Sequence, residues 1–227
     1  MIKSKVYFLY VLVILIALGS CERPPELPIA PNITFNQVIF KKGQSTGGSI
    51  AVDSLIIKIN FEDGDGDLGL SKDDTDPPYN EFDVQFTPQG DTIKFGAAGQ
   101  PDYNIFDWLI VSTSTTKVDT IRVIYNENFK NIFVDFYYKN AGGEYVPIDF
   151  FSIFGNTASG FGLDGRFPIL NTRDVERPLK GTLTYKTGLA FSLNPIFRNE
   201  TLRVDVQIQD RTFHKSNIIS SPDFKLK

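Results

Sequence analysis

The chain has 227 residues, of which 41% are hydrophobic, 22% charged and 13% aromatic, a mixture typical of a globular protein and too apolar for a disordered one. A single histidine and a single cysteine exclude zinc sites that need several of either residue, and exclude a disulfide within the chain. The net charge of −4 argues against a nucleic-acid-binding protein, which would need a concentrated basic surface.

Residues 1–20 have the features of a lipoprotein signal peptide. Lys3 and Lys5 precede the apolar stretch Val6–Gly19, whose 14 residues are fewer than the ~20 that a membrane-spanning helix needs. The ending Leu18-Gly19-Ser20-Cys21 resembles a bacterial lipobox, in which the cysteine is acylated and becomes the first mature residue. The resemblance implies a diacylglycerol thioether and an amide-linked fatty-acyl chain such as palmitate on Cys21, and several chains anchor a protein durably. The alternative is a signal anchor with an incidental cysteine.

Residues 21–31 contain four prolines and predict a short, stiff tether. Because proline favours an extended chain, this segment would hold the following domain, residues 32–227, away from the membrane. Removal of residues 1–20, which carry two lysines and no acidic residue, would change the net charge from −4 to −6.

The domain reads as a succession of short strands separated by glycine and proline. Apolar and polar residues alternate over Leu55–Glu62 and again over Thr201–Asp210, which predicts strands with one buried face. Ile132–Lys139 and Glu144–Phe151 flank an Asn-Ala-Gly-Gly turn and predict a central hairpin, and Asp102–Leu109 could form one or two helical turns. The other predicted strands are Ile33–Lys41, Glu81–Thr87, Lys117–Asn126, Leu179–Lys186 and Ile218–Leu226. The pattern predicts an all-β fold, a β-sandwich of one domain.

An acidic segment follows the strand Leu55–Glu62. Asn60–Asp83 holds nine acidic residues and one lysine, a net charge of −8 in 24 residues. At its centre Asp63, Asp65 and Asp67 alternate with glycines, so the backbone can curl and bring three carboxylates to one point. Clustered carboxylates repel one another without a cation, and Ca²⁺ takes carboxylates, carbonyls and water together as ligands.

The spacing of these acids resembles the helix–loop–helix calcium motif, which has acids at loop positions 1, 3 and 5. Leu68 stands where that motif has glycine, Asp74 stands where it has glutamate, and a strand precedes the loop. We therefore predict a structural calcium site in a loop between strands, with Asp63, Asp65, Asp67 and Asp74 as ligands. Magnesium is less favoured because it takes fewer protein ligands, and the alternative is a solvated Asp-Gly turn.

The chain closes with a strand that runs into the polar turn Asp210–Asn217. The strand-ending Asp210 and the Ser216-Asn217 pair resemble the closing hairpin of bacterial immunoglobulin-like domains. The resemblance implies an Ig-like β-sandwich in which Asp210 accepts turn N–H groups. His214 lies in the same turn and is predicted to be solvated.

Several short motifs together resemble envelope lipoproteins of the Bacteroidota type. They are Cys21, the strand Asp53–Ile57 leading into Phe61–Gly69, Pro77-Pro78-Tyr79, Gly165-Arg166-Phe167-Pro168 and the closing hairpin. The resemblance implies an Ig-like, calcium-binding domain with a long acidic insertion after an early strand, at the outer membrane, on the periplasmic face or the cell surface.

Three functions from different classes are open. The leading one is a non-catalytic accessory lipoprotein that contacts an envelope protein partner, because no catalytic constellation is recognisable in the chain. The second is a glycan-binding lipoprotein, which predicts exposed coplanar aromatics such as Trp108 with Tyr103. The third is a hydrolase with a carboxylate pair, which predicts a deep acidic cleft away from the calcium loop.

Overall fold

The structure is a computed structural model that describes residues 26–43, 53–103, 106–112, 118–149, 162–172, 177–189 and 197–226. Within these ranges the chain is all-β, with ten strands and one short 3-10 helix, Glu127–Phe129. The strands are β1 (Asn32–Lys41), β2 (Asp53–Asp63), β3 (Phe82–Val84), β4 (Trp108–Ser112), β5 (Val118–Tyr125), β6 (Ile132–Lys139), β7 (Tyr145–Pro147), β8 (Leu179–Leu189), β9 (Leu202–Ile208) and β10 (Ile219–Ser220). The predicted signal peptide, residues 1–20, and Cys21 lie outside the described residues. No described helix has the length and apolar character to span a membrane.

Two antiparallel sheets form the main body. One sheet has the strand order β1-β2-β8 and the other has the order β10-β9-β6-β7. β2 pairs with β8 over all eleven of its residues, and β6 pairs with β9 over seven. β6 therefore lies inside its sheet, as predicted for the first strand of the central hairpin, whereas β7 is a three-residue edge strand.

Strict alternation directs one row of apolar side chains from each sheet into a shared core. The buried side chains of β2 are Leu55, Ile57, Ile59 and Phe61, and those of β9 are Leu202, Val204, Val206 and Ile208. All eight belong to one hydrophobic cluster with residues of β6, so the two sheets pack face to face. Burial of each such side chain stabilises the fold by about 1.5–3 kcal/mol. The predicted all-β sandwich and both alternating strands are confirmed, whereas an Ig-like strand order stays a prediction.

A third antiparallel sheet has the order β3-β5-β4 and buries side chains on both of its faces, because Trp108 pairs with Arg122 while Ile121 and Val123 take the alternate positions of β5. Trp108, Ile121 and Val123 are buried within it and do not belong to the sandwich cluster. On its other positions Ile110 and Val118 are more than half exposed. The third sheet therefore extends the protein beyond the sandwich.

The helical turns predicted over Asp102–Leu109 are wrong for the residues that the structure describes. Trp108 begins β4, which pairs with β5 in the register Trp108↔Arg122. The β-branched residues Ile110 and Val111 favour a strand, and they pair in register with Thr120 and Asp119 of β5.

Three predicted strands are shorter than expected, and one of them is β3, which spans only Phe82–Val84 of the predicted Glu81–Thr87. β7 ends at Pro147, where proline cannot donate to a ladder, and residues 150–151 of that prediction lie outside the described residues. β10 has only two residues, and Pro222 follows shortly after it. Beyond that proline, Phe224 forms a single bridge with Leu202.

Candidate metal centre

The buried rows of β2 and β9 each end in an aspartate. Asp63 continues the row that begins at Leu55 and is 0% exposed, and Asp210 continues the row that begins at Leu202 and is 3% exposed. The two strands belong to opposite sheets of the sandwich. Strand periodicity thus brings one carboxylate from each sheet to the same end of the core.

The loop after β2, residues 64–68, which we call the acidic loop, adds two more carboxylates. Asp65 and Asp67 follow Asp63 at every second position, and one oxygen from each of these residues and from Asp210 lies within 4.8 Å of the others. We call Asp63, Asp65, Asp67 and Asp210 the carboxylate cluster. No lysine or arginine among the described residues forms an ion pair with any member of the cluster. The four carboxylates could therefore hold a metal ion.

Several oxygens of the carboxylate cluster are buried without a hydrogen-bond partner. They are both carboxylate oxygens of Asp63, Oδ1 of Asp65 and Oδ1 of Asp67. An unpaired buried charge is strongly destabilising unless it is neutralised, hydrogen-bonded or bound to a metal. These orphaned oxygens fit a cation ligand set.

Burial and then the charges of the other three carboxylates raise the pKa of Asp63 to about 7. The backbone N–H of Gly66 opposes this rise in pKa but does not reach hydrogen-bonding geometry with either oxygen. Burial and the charges of Asp210 and Asp65 also raise the pKa of Asp67. Without a cation, the cluster therefore resists full ionisation at neutral pH.

The turn after β9 holds three further oxygens of the carboxylate cluster in place. The Thr212 N–H donates to Oδ2 of Asp67 at 3.1 Å, which joins the turn to the acidic loop. Oδ1 of Asp210 accepts the His214 N–H at 2.7 Å, and Oδ2 lies 2.9 Å from Nδ1 of His214. Asp210 thus accepts turn N–H groups, as expected from the sequence, while it also faces the carboxylate cluster.

Asp74, predicted as the fourth ligand, lies outside the carboxylate cluster. Its Oδ2 accepts from Arg211 Nη1 at 2.8 Å and from the Ser71 N–H at 2.8 Å. Partial burial opposes ionisation of Asp74, but Arg211 and the Ser71 N–H outweigh it and hold the pKa below its usual value. The prediction extended the loop numbering of the helix–loop–helix motif to position 12, but here the chain leaves the cluster after Leu68 and Asp74 serves to neutralise Arg211.

Leu68 explains the departure from that motif at loop position 6. Its side chain is completely buried and belongs to the sandwich core, where a glycine would leave a cavity. The loop is also fixed from outside, because the Leu170 N–H donates to the Leu68 carbonyl at 3.0 Å and the Arg177 N–H donates to the Asp65 carbonyl at 3.2 Å. The acidic loop is therefore fixed to the sandwich by core packing and by backbone hydrogen bonds, and it is not a solvated turn.

Sequence reasoning identified Asp63, Asp65 and Asp67 but missed Asp210 as a member of the carboxylate cluster. The signal was present in the alternation of β9, because Asp210 lies two residues beyond Ile208 and so continues the buried row of every second residue that begins at Leu202. What the sequence did not show is that β9 ends beside β2.

No family model, curated protein or solved structure matches this chain. The fold and the carboxylate cluster define an all-β, sandwich-like domain with a buried acidic site between its two sheets.

Proposed function

We propose that this protein is a lipid-anchored envelope protein whose β-sandwich is stabilised by a calcium ion in the carboxylate cluster. The observation that carries the metal assignment is Asp63, a fully buried carboxylate with no hydrogen bond to either oxygen. A divalent cation supplies the positive charge that the described residues around Asp63 do not provide.

The donor set favours calcium over other common divalent ions. Two oxygens bound to the same calcium ion lie at most about 5 Å apart, twice a bond length of ~2.3–2.6 Å, and the 4.8 Å spread of the cluster fits this limit. Four carboxylates exceed what magnesium usually takes from a protein, because magnesium retains several waters. Zinc prefers cysteine and histidine ligands, and all four members of the cluster are aspartates.

The ion would have a structural role, because it would join three parts of the chain. Asp63 belongs to the end of β2, Asp65 and Asp67 belong to the acidic loop, and Asp210 follows β9. Bound calcium would therefore link the two sheets of the sandwich at one end, in the way that a crosslink does.

The envelope part of the proposal rests on the signal sequence and the lipobox ending at Cys21. We propose the outer membrane as the location and an accessory, non-catalytic role through contact with a protein partner. The exposed apolar side chains Ile110, Val118 and Ile124 of the third sheet support a contact role, since large apolar residues grouped on one sheet often mark an interface.

The glycan-binding alternative gains no support from the residues that suggested it. Trp108 is 2% exposed and its Nε1 donates to the Asp102 carbonyl at 3.2 Å, so it offers no surface for a sugar ring. Phe95 meets both Trp108 and Tyr103 edge to face, which is packing and not a coplanar platform. The carboxylate-pair hydrolase has no specific observation in its favour.

Thermal unfolding of the purified full chain in detergent tests the metal proposal. At a calcium concentration a hundred times the dissociation constant, binding adds ~2.7 kcal/mol to the free energy of unfolding, so chelation should lower the melting temperature by roughly 5–10 °C. Asp65→Asn should remove most of this difference, whereas Asp73→Asn, which changes an exposed acid of the same segment, should keep it. Calorimetric titration should show tighter binding of Ca²⁺ than of Mg²⁺. A melting temperature insensitive to both calcium and chelator would refute the site.

A further inference from the structure

The backbone just before the domain lies directly on the acidic loop. The Gly64 N–H, between the cluster members Asp63 and Asp65, donates to the Pro28 carbonyl at 2.8 Å. Leu27 is half-buried at this contact, and Pro31 is fully buried just before β1 begins. We call residues 26–30 the anchor segment, because they connect the domain to the predicted lipidation site at Cys21.

Gly64 is required by this contact and not by its own backbone conformation. A Cβ atom at position 64 would lie 2.5 Å from the Leu27 carbonyl oxygen and 2.9 Å from that of Pro28, while the φ of Gly64 lies outside the left-handed region. Any larger residue must therefore displace the anchor segment. The acidic loop thus contacts the anchor segment at Gly64, between two residues whose carboxylates belong to the cluster.

We propose that cation binding to the carboxylate cluster and docking of the anchor segment on Gly64 are coupled, so that the cation fixes where the lipid anchor leaves the domain. This inference rests on the proposed calcium site. Without the ion, repulsion among four carboxylates favours an opened loop, and opening moves the Gly64 N–H that holds Pro28. Since coupling is reciprocal, undocking of the anchor segment must weaken cation binding by the same factor.

The coupling has a consequence for how the domain sits on its membrane. From Cys21 to Pro28 the chain spans seven residues, or about 20 Å if it is extended at ~3.1 Å per residue. Docking of the anchor segment would hold the metal-binding end of the sandwich within that distance of the lipid. Release would add the anchor segment to the tether and let the domain reorient.

The bond between Glu26 and Leu27 offers a direct test, because Glu26 is exposed and a glutamate-specific protease must seat the residues on both sides of the bond. The full chain in detergent is digested in calcium and in chelator, and cleavage at this bond is followed by mass spectrometry. We expect cleavage to be roughly tenfold faster in chelator, within the usual range of coupling between sites. Equal rates in a protein that binds calcium by calorimetry would overturn the coupling and leave the calcium site standing.

Gly64→Ala separates the two proposals, because it displaces the anchor segment and retains all four aspartates. We expect rapid cleavage at Glu26–Leu27 with or without calcium, and a calcium affinity lowered by the same factor. Gly162→Ala is the matched control, since its added Cβ would meet only ordinary contacts. Unchanged calcium affinity in a folded Gly64→Ala protein contradicts the coupling, whereas absence of calcium binding to the unaltered protein refutes the calcium site itself.

Pro28→Gly provides a second route if Gly64→Ala does not fold. It loosens the anchor segment and leaves the acidic loop unchanged, so it should raise the cleavage rate in calcium and lower calcium affinity together. A change in cleavage without a change in affinity would overturn the proposal.

Discussion

Asp63 is a charged residue at a position that the alternation of β2 reserves for an apolar one. It pairs with Leu179 across the sheet and is as buried as Leu55 at the other end of the row. A carboxylate in this place destabilises the metal-free fold, because its charge is desolvated and faces three like charges. A bound cation, which favours the charged form, would offset this cost.

The raised pKa of Asp63 predicts an unusual pH dependence for the metal-free protein. In the folded chain this pKa is about 7, against a usual value of 3.8, so the folded state retains a proton that the unfolded state has lost between these values. The metal-free protein should therefore become less stable as pH rises from about 4 to about 7, by up to ~4 kcal/mol. Calcium needs the ionised carboxylate, so the stabilisation by calcium should grow over the same range.

Melting temperatures in calcium and in chelator, measured from pH 5 to pH 8, check this prediction. Asp63→Asn is the control: it should flatten the pH dependence in chelator, raise the metal-free melting temperature at pH 8 and remove the response to calcium. Asp74→Asn should keep the response, because Asp74 pairs with Arg211 outside the cluster. A calcium-induced rise in melting temperature of equal size at pH 5 and pH 8 would contradict the assignment of this pKa.

At the scale of elements, most of the correct strand predictions came from the alternation of apolar and polar residues. The alternation in β2 and β9 could be followed residue by residue in the sequence, because each strand has one buried face and one face that is closer to solvent. It failed at β4, where Phe106, Leu109 and Ile110 also fit a helical face and only the pairing with β5 decides between the two. Asp210 was missed for a similar reason, since its neighbours in space belong to the other sheet.

The acidic loop depends on Gly66 in a way that a substitution can measure. Gly66 has φ +73°, and a Cβ atom there would collide with the carbonyl oxygen of Arg177. Gly90 has φ +89° but open space around the added atom. Gly90→Ala should therefore lower the free energy of unfolding by about 1 kcal/mol from backbone strain alone, whereas Gly66→Ala should lower it by about 3 kcal/mol and weaken calcium binding.

Urea unfolding of the two variants, each with and without calcium, provides the measurement. The difference between them isolates the close approach of residue 177 from the positive φ that both glycines share. Similar losses of stability in Gly66→Ala and Gly90→Ala would mean that the loop accommodates a side chain, and that its packing is looser than the structure describes.

Over the whole molecule, the carboxylate cluster and the third sheet belong to different parts of the fold. The cluster closes one end of the sandwich, since Asp63 extends one sheet and Asp210 extends the other. Local contacts hold the end of β5 to the chain segments next to the third sheet. Asn126 Nδ2 donates to the Pro78 carbonyl at 2.8 Å, and Tyr125 packs edge to face on Phe129. Its buried residues form no part of the sandwich cluster, so its stability should be partly independent.

Hydrogen exchange with and without calcium can resolve the two parts. We expect amides of β2 and β9 to become more protected in calcium, by up to the roughly hundredfold that 2.7 kcal/mol represents, because they open only when the sandwich opens and the ion is lost. Amides of β4 and β5 should exchange through a local opening of the third sheet and change little with calcium. Trp108→Ala should speed exchange in β4 and β5 while leaving the calcium effect on β2 and β9 intact. Equal calcium protection in all four strands would instead mean that the third sheet and the sandwich unfold as one cooperative unit, and that the ion stabilises the entire described chain.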